Sequence, residues 1–266
     1  MKNILVLVHD DAGQEARLQS AFDLTRALDG HLTCLDVAVA PPPIAPIDDM
    51  GLAAIAIAEA QQREDTNRAR LQPRLDAEQI AYHWVERVGL LSQTIVAASR
   101  LADLIVLNRE ISAAYPEMRR VAGDVLIESG KPIVAVSQQT HGFDAFGRAL
   151  VAWDGSPEAD AALQAAVPLL RLARDITIIE VNDGSIKIPA NDAAIYLSRH
   201  GIKSAVLSES ARFDIPSTVI LDAVDKLAAA YLVMGGFGHS RMVEAALGGV
   251  TKRMLRECPV PLFLAH

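Results

Sequence analysis

The chain is short of cysteine, of basic charge and of long apolar runs, and each shortage excludes something. Its only cysteines, Cys34 and Cys258, are far apart and belong to no CxxC or Cys/His pattern. Neither a disulfide framework nor a structural zinc site is expected, and the protein reads as one of a reducing, cytoplasmic compartment. Lys and Arg number 25 against 33 Asp and Glu, a formal charge of −8 that disfavours general attraction to nucleic acid or an anionic membrane; a bound polyanion would need a local basic patch. No apolar run approaches the ~20 residues of a membrane span. The amino terminus MKNILVLVHDD turns acidic after a short apolar run, so no secretory leader is expected.

What the chain does have is enough apolar residues, 51% of 266, for a substantial core, and an internal repeat that decides how that core is organised. Asn3–Asp10 (NILVLVHD) and Gly147–Asp154 (GRALVAWD) are apolar strands ending in aspartate, and Leu32–Val37 pairs with Ile176–Val181 at the same offset of 144 positions. Amphipathic helical patterns of equal length, Gln14–Leu28 and Glu158–Leu172, lie between them. Further on, ADLIVL (102–107) resembles AAYLVM (229–234), and the proline-led KPIVAV (131–136) resembles VPLFLA (260–265). Leu90–Leu101 and Pro216–Ala230 read as helices, with Ala81–Val85 and Ser204–Leu207 as short strands before them. Near-continuous apolar strands alternating with helices predict an α/β fold: two tandem open five-stranded parallel sheets, each with helices on both faces. The two-glycine stretch 138–147 marks the boundary, giving domains at 1–140 and 146–266.

The halves differ in two places. Pro41–Pro46 begins an extended loop, and Met50–Gln79 forms one long Ala-, Gln- and Arg-rich helical pattern where the second half has only Asn182–Gly201. After the fourth strand the second half has Gly235-Gly-Phe-Gly238 and, after nine intervening residues, Gly248-Gly249-Val250-Thr251; the first half has Asn108-Arg109-Glu110-Ile111 and Arg119-Arg120-Val121-Ala122. Glycines at the carboxyl end of a parallel strand let backbone amides approach a ligand, and the following helix start offers unpaired N–H groups to an anion. A single glycine would mean only a turn; the set points to phosphate. Neither GxGxxG nor a Walker A loop is met: Arg241 stands at the third glycine, and Thr251 precedes Lys252.

Asp154-Gly-Ser-Pro-Glu158 carries an N-cap signature at Ser156, while Asp154 suits equally an Asx-turn or a ribose hydroxyl or metal in the crevice. Asp10 is expected to serve only its turn. His239, Ser240 and Arg241 offer one phosphate-facing side chain among them. Trp84 and Trp153 are expected in cores. No nucleophile, paired general acid and base, or metal cage stands out, so no efficient catalysis is expected, at most slow ATP hydrolysis.

These residues resemble the ATP-binding class of universal stress proteins in the Gly-x2-Gly-x9-Gly pattern with its following Gly-Val-Thr, the Asp154-Gly-Ser turn and the AAYLVM strand. The resemblance covers nearly the whole chain as a tandem repeat, most strongly 147–266. It implies a Rossmann-like fold of the adenine nucleotide alpha hydrolase type that pairs through its last strand, so that one chain forms a pseudo-dimer; a homodimer of such chains is a further assembly. It also implies that Ala152 and Asp154 meet adenosine, that Val181 lines the adenine pocket, and that Met234, Gly235, Gly238, His239, Gly248, Gly249, Val250 and Thr251 surround ribose and phosphates. Gly249 stands where the family usually has serine or threonine, so a hydroxyl contact to phosphate is missing. The expected ligand is ATP, ADP or AMP, with Mg2+ as an accompanying ion. The expected role is stress regulation through nucleotide occupancy of the second domain, with the first as a degenerate scaffold. The alternative is a nucleotide-free interaction protein in which segment 41–80 meets a protein partner.

Overall fold

The structure, a computed structural model, describes residues 1–39, 50–109, 121–182, 184, 186, 188–210, 215–238 and 249–266. In the first half β1 (Asn3–Val8), α1 (Gln14–Ala27), β2 (His31–Val39), α2 (Met50–Ala77), β3 (Ala81–Gly89), α3 (Leu91–Ala98), β4 (Leu104–Asn108), α4 (Val121–Ser129) and β5 (Ile133–Val136) follow in order. The second half repeats the series as β6 (Arg148–Trp153), α5 (Pro157–Leu170), β7 (Asp175–Asn182), α6 (Ala190–Arg199), β8 (Ala205–Ser210), α7 (Pro216–Lys226), β9 (Tyr231–Gly235), α8 (Val250–Glu257) and β10 (Leu262–Ala265).

Element types agree with the sequence pattern; some extents do not. β3 runs on to Gly89, beyond the expected Val85, because its whole length pairs with β2 from His31–Ala81 to Val39–Gly89. Conversely, α7 stops at Lys226, and Ala228 at φ +47° turns the chain into β9. The interval 182–201, without an element assigned from sequence, holds α6, whose buried Ala190, Ala193 and Leu197 recur at helical spacing.

The expected pair of five-stranded sheets is joined edge to edge into one ten-stranded sheet of order β3-β2-β1-β4-β5-β10-β9-β6-β7-β8, which reads the same from either edge when the halves are exchanged. Every pairing is parallel except β5 with β10, where Ala135 faces Leu262, Val134 faces Phe263 and Ile133 faces Leu264. All six side chains are fully buried, so the seam is core, each large side chain contributing about 1.5–3 kcal/mol by leaving water. Two further ties cross it. The linker's Phe143 donates its N–H to Asp23 Oδ2 at 3.0 Å and packs its ring 4.9 Å from that of Tyr231. The buried Arg109 guanidinium donates to the carbonyls of Cys258 and Val260, and burial lowers its pKa.

Alternation along the strands divides the core. On β1, Ile4, Val6 and Val8 face α1 and α2, with α5 and α6 continuing that layer. Leu5 and Leu7 face the opposite layer, which α3, α4, α7 and α8 complete. The long α2 packs on its own half through Leu71 and Leu75, aided by surface pairs such as Arg26 with Glu78 and Arg70 with Asp10.

Candidate nucleotide site

In the second half β6 leads through α5 to β7 on one side, while β9 lies on its other side. The carboxyl ends of β6 and β9 therefore border a topological switch point, where open α/β sheets leave a crevice. β6 ends at Trp153, a core residue as expected, whose Nε1 donates to the Ile188 carbonyl at 2.9 Å. Asp154 follows, exposed to solvent, and its Oδ1 accepts from the Ser156 amide at 2.9 Å, an Asx-turn. Gly155 at φ +71° is a position only glycine fills, since a Cβ would come within 2.4 Å of the Ile188 nitrogen. Ser156 then caps α5, its Oγ accepting from the Ala159 amide at 3.2 Å with Pro157 in the first helical position. Asp154 thus makes the turn and keeps Oδ2 without a hydrogen bond from any described residue.

Ala152, Val181 and Met234 are the penultimate residues of β6, β7 and β9, buried on the sheet face away from Trp153, with Leu150, Ile179 and Leu232 behind them. They form a shallow apolar floor beside Asp154. From Met234 the chain enters the glycine turn. The Gly236 amide donates to the Ala265 carbonyl at 2.9 Å, and the Gly236 carbonyl meets His266 Nδ1 at 2.9 Å. Phe237 adopts φ +60°, a left-handed conformation costly for a bulky residue. Its amide donates to Thr251 Oγ1 at 3.2 Å, and its ring lies over Gly123 of α4, where a Cβ would come within 3.1 Å of Cζ.

That single amide–hydroxyl bond ties the first glycine cluster to the first turn of α8, where Gly249 is the N-cap and Val250 the first helical residue. Ala152, Val181, Met234 and Gly235 lie at the carboxyl ends of β6, β7 and β9, Asp154 and Gly238 follow two of those ends, and Gly249, Val250 and Thr251 open α8. The Thr251 hydroxyl is already engaged by Phe237. His239 and Gly248 lie outside the described residues, as do Ser240, Arg241, Arg119 and Arg120.

The two described motif glycines serve different neighbours. A Cβ at Gly235 would stand 2.7 Å from the backbone nitrogen of Ala159, so this glycine is demanded by the passage of β9 beneath the first turn of α5. At Gly238 a Cβ would meet only a side chain, the Glu158 carboxylate, at 2.7 Å from Oε2. Glu158 is half-buried and neither hydrogen-bonds nor ion-pairs with a described residue. Sequence reasoning took it for a first-turn acid; only the approach of β9 to α5 puts its charge against the glycine turn. For an adenine nucleotide the fit is divided. The apolar floor and Asp154 Oδ2 suit an adenosine moiety, and the amides of the turn and of α8 suit phosphate, but the Glu158 charge opposes an uncompensated anion there.

In the first half the corresponding space is filled by side chains. The fully buried Arg17 donates from Nε to the Leu7 carbonyl at 3.0 Å, from Nη2 to the His9 carbonyl at 3.0 Å, and from Nη1 to Asp11 and to Asn108 Oδ1. Asn108 stands where the second half has Gly235, and Gly13 admits it: a Cβ on Gly13 would fall 2.5 Å from the Asn108 amide. The turn expected of Asp10 is made instead by Asp11, whose Oδ1 accepts from the Gly13 amide at 2.6 Å, while Asp10 pairs with Arg70. Arg17 within a helical pattern and Asn108 at a strand end were the available signals of this plug.

Among the described residues no group of three or more His, Cys, Asp or Glu could hold a metal ion, and no helix is long and apolar enough to cross a membrane. Residues 145–266 match the universal stress protein family. The whole chain is similar in structure to a universal stress protein from Archaeoglobus fulgidus DSM 4304, at 22% identity over 99% of this chain and 95% of that one with a TM-score of 0.78. It is also similar to a putative universal stress protein from Pseudomonas aeruginosa UCBPP-PA14, at 16% identity over 100% and 93% of the two chains with a TM-score of 0.58. A functionally unknown protein from Pseudomonas aeruginosa PAO1 is similar at 16% identity over 100% and 92%, with a TM-score of 0.59. No curated protein matches the chain in sequence. The likeness over the full length shows a shared α/β fold, and residues 145–266 form a domain of the universal stress protein family.

Proposed function

We propose that the second domain, residues 146–266, binds one adenine nucleotide (ATP, ADP or AMP) and that its occupancy regulates a partner or the protein's own assembly under stress, with domain 1–140 as scaffold. The observation that supports this reading is the Phe237 amide bond to Thr251, which ties the turn after β9 to the start of α8, next to the switch point between β6 and β9. In this reading Asp154 Oδ2 accepts from ribose hydroxyls, and the adenine lies on Ala152, Val181 and Met234. The phosphates face the Gly235–Gly238 turn and the first turn of α8, where Gly249, Val250 and Thr251 present amides. Mg2+ would supply positive charge against the phosphates and Glu158. His239 and Gly248 belong to the same proposed set. No step of bond cleavage is assigned.

Titration calorimetry of the purified protein with ATP, ADP and AMP tests the reading, with one nucleotide bound per chain as the expected result. No heat with any of the three at millimolar concentration, with and without Mg2+, removes it. The partner-free form of the same reading has the protein act in the cytoplasm as a nucleotide sensor; a protein partner would meet segment 41–80. A nucleotide-free interaction protein is the second reading, favoured by the carboxylate of Glu158 standing against Gly238.

A further inference from the structure

Four of the second half's twelve lysines and arginines meet at the other end of its sheet. A cavity of about 710 Å3 opens among the amino ends of β6, β7 and β8 and the turn after α7, and Arg148, Arg174, Lys203 and Lys226 line it with a single carboxylate, Asp175. This volume falls in the range of small-ligand sites. In a chain of net charge −8, four cations against one acid around one concavity is a local reversal of sign.

The cations are not all consumed by neighbours. Asp175 Oδ2 lies 3.5 Å from Arg148 Nε and 3.4 Å from Arg174 Nε, so one carboxylate spaces two guanidiniums, and Arg148 is fixed further by donating to the Leu227 carbonyl at 3.2 Å. Lys203 and Lys226 have no ion pair or hydrogen bond with a described residue. Ser204, next to Lys203 and also lining the cavity, has a buried Oγ that makes no hydrogen bond with a described residue, an orphan donor of the kind that native structures seldom leave without a partner. The fold does not require this arrangement. At the same end of the first half, Lys2 pairs with Asp29, and the Asp103 carboxylate accepts from the amides of Lys2 and Asn3.

We propose that this cavity is an anion site for a small, multiply charged phosphate compound, held by Arg148, Arg174, Lys203 and Lys226 with Ser204 Oγ donating to a phosphate oxygen. The guanidiniums offer forked donors and the lysines mobile point charges, a pairing suited to a chain of two or three phosphates. The bounded shape and the acidic remainder of the surface select a small anion over a long polymer. Counted along β6, the cavity is about 20 Å from Asp154, so the site is independent of the adenine nucleotide reading.

Inorganic tripolyphosphate is the probe, titrated calorimetrically into the full-length protein at low salt, with and without saturating adenosine. The expected result is one tripolyphosphate per chain, unaffected by adenosine and weakened at least tenfold by K203Q/K226Q, two exposed substitutions that leave the melting temperature in place. S204A is expected to weaken it by a smaller factor. Absence of tripolyphosphate binding, or binding that K203Q/K226Q leaves unchanged, overturns the proposal. Loss of binding on G238V with K203Q/K226Q unaffected would move the anion to the glycine turn and overturn it equally.

Discussion

Glu158 offers the sharpest single test of how the crevice treats charge. Its Oε2 lies 2.7 Å from the place a Gly238 Cβ would take, so a phosphate received by the Gly238 amide would come within roughly 4–6 Å of the carboxylate. Two unit charges at that distance repel by about 3–4 kcal/mol at an effective dielectric of 20, and screening at this half-exposed position reduces the effect to about 1–2 kcal/mol. Replacing Glu158 by Gln removes the charge and keeps the shape. Calorimetry in EDTA should find ATP bound about tenfold or more tightly by E158Q relative to adenosine, the charge-free reference, tenfold being about 1.4 kcal/mol. Mg2+ should reduce the gain, because the cation already offsets the carboxylate. The substitution also removes an acid from the first turn of α5, worth about 0.3–1 kcal/mol of stability, which appears as a lower melting temperature and not as a changed ratio of affinities. An ATP-to-adenosine ratio that stays at its wild-type value in EDTA refutes the argument that Glu158 guards the turn.

The two motif glycines should separate in urea denaturation: G235A forces a Cβ onto the backbone of α5 and is expected to cost about 1–3 kcal/mol, whereas G238A displaces only the Glu158 side chain and should cost less than about 1 kcal/mol; equal losses would contradict the packing described. In the first half, N108A deprives the buried Arg17 of an acceptor and should destabilise by about 1–3 kcal/mol, and a neutral result would show that Asn108 is not part of the plug. Asp36 on β2 faces Glu64 of α2, Glu86 and Trp84 of β3 and His9 after β1; burial first, and then Glu64 and Glu86, push its carboxyl from 3.8 up to about 7. Because the folded state holds this proton where the unfolded state has released it, stability falls as pH rises from about 4 to about 7 and levels off above. D36N should flatten that fall, by on the order of 2–4 kcal/mol between pH 4 and 8, and an unchanged pH dependence of the urea midpoint would refute the assignment.

Much of the fold was legible because repetition is a property of sequence. The constant offset between Asp10 and Asp154 and between Val37 and Val181 fixed the strand–helix–strand openings, and the proline-led last strands marked the two elements that later meet. Local chemistry was legible too: Ser156 caps α5, and Asp154 makes its Asx-turn. Helix α6 was missed because its interval was read only as a shortened counterpart of α2.

What the sequence determined by itself is the kind of protein: two α/β halves, apolar strands buried on both faces, and a glycine-rich strand end in only one of them. Only tertiary structure decided how these meet, because each such relation joins residues distant in sequence. The antiparallel pairing of Ile133–Ala135 with Leu262–Leu264 makes one sheet out of two. The contact of β9 with α5 gives Gly235 a packing role and sets the Glu158 charge beside Gly238. The approach of Arg17 to Asn108 fills the first half's crevice. The cations of Arg148, Arg174, Lys203 and Lys226, scattered along the chain, become a single basic cavity only when three strand ends and the turn after α7 come together.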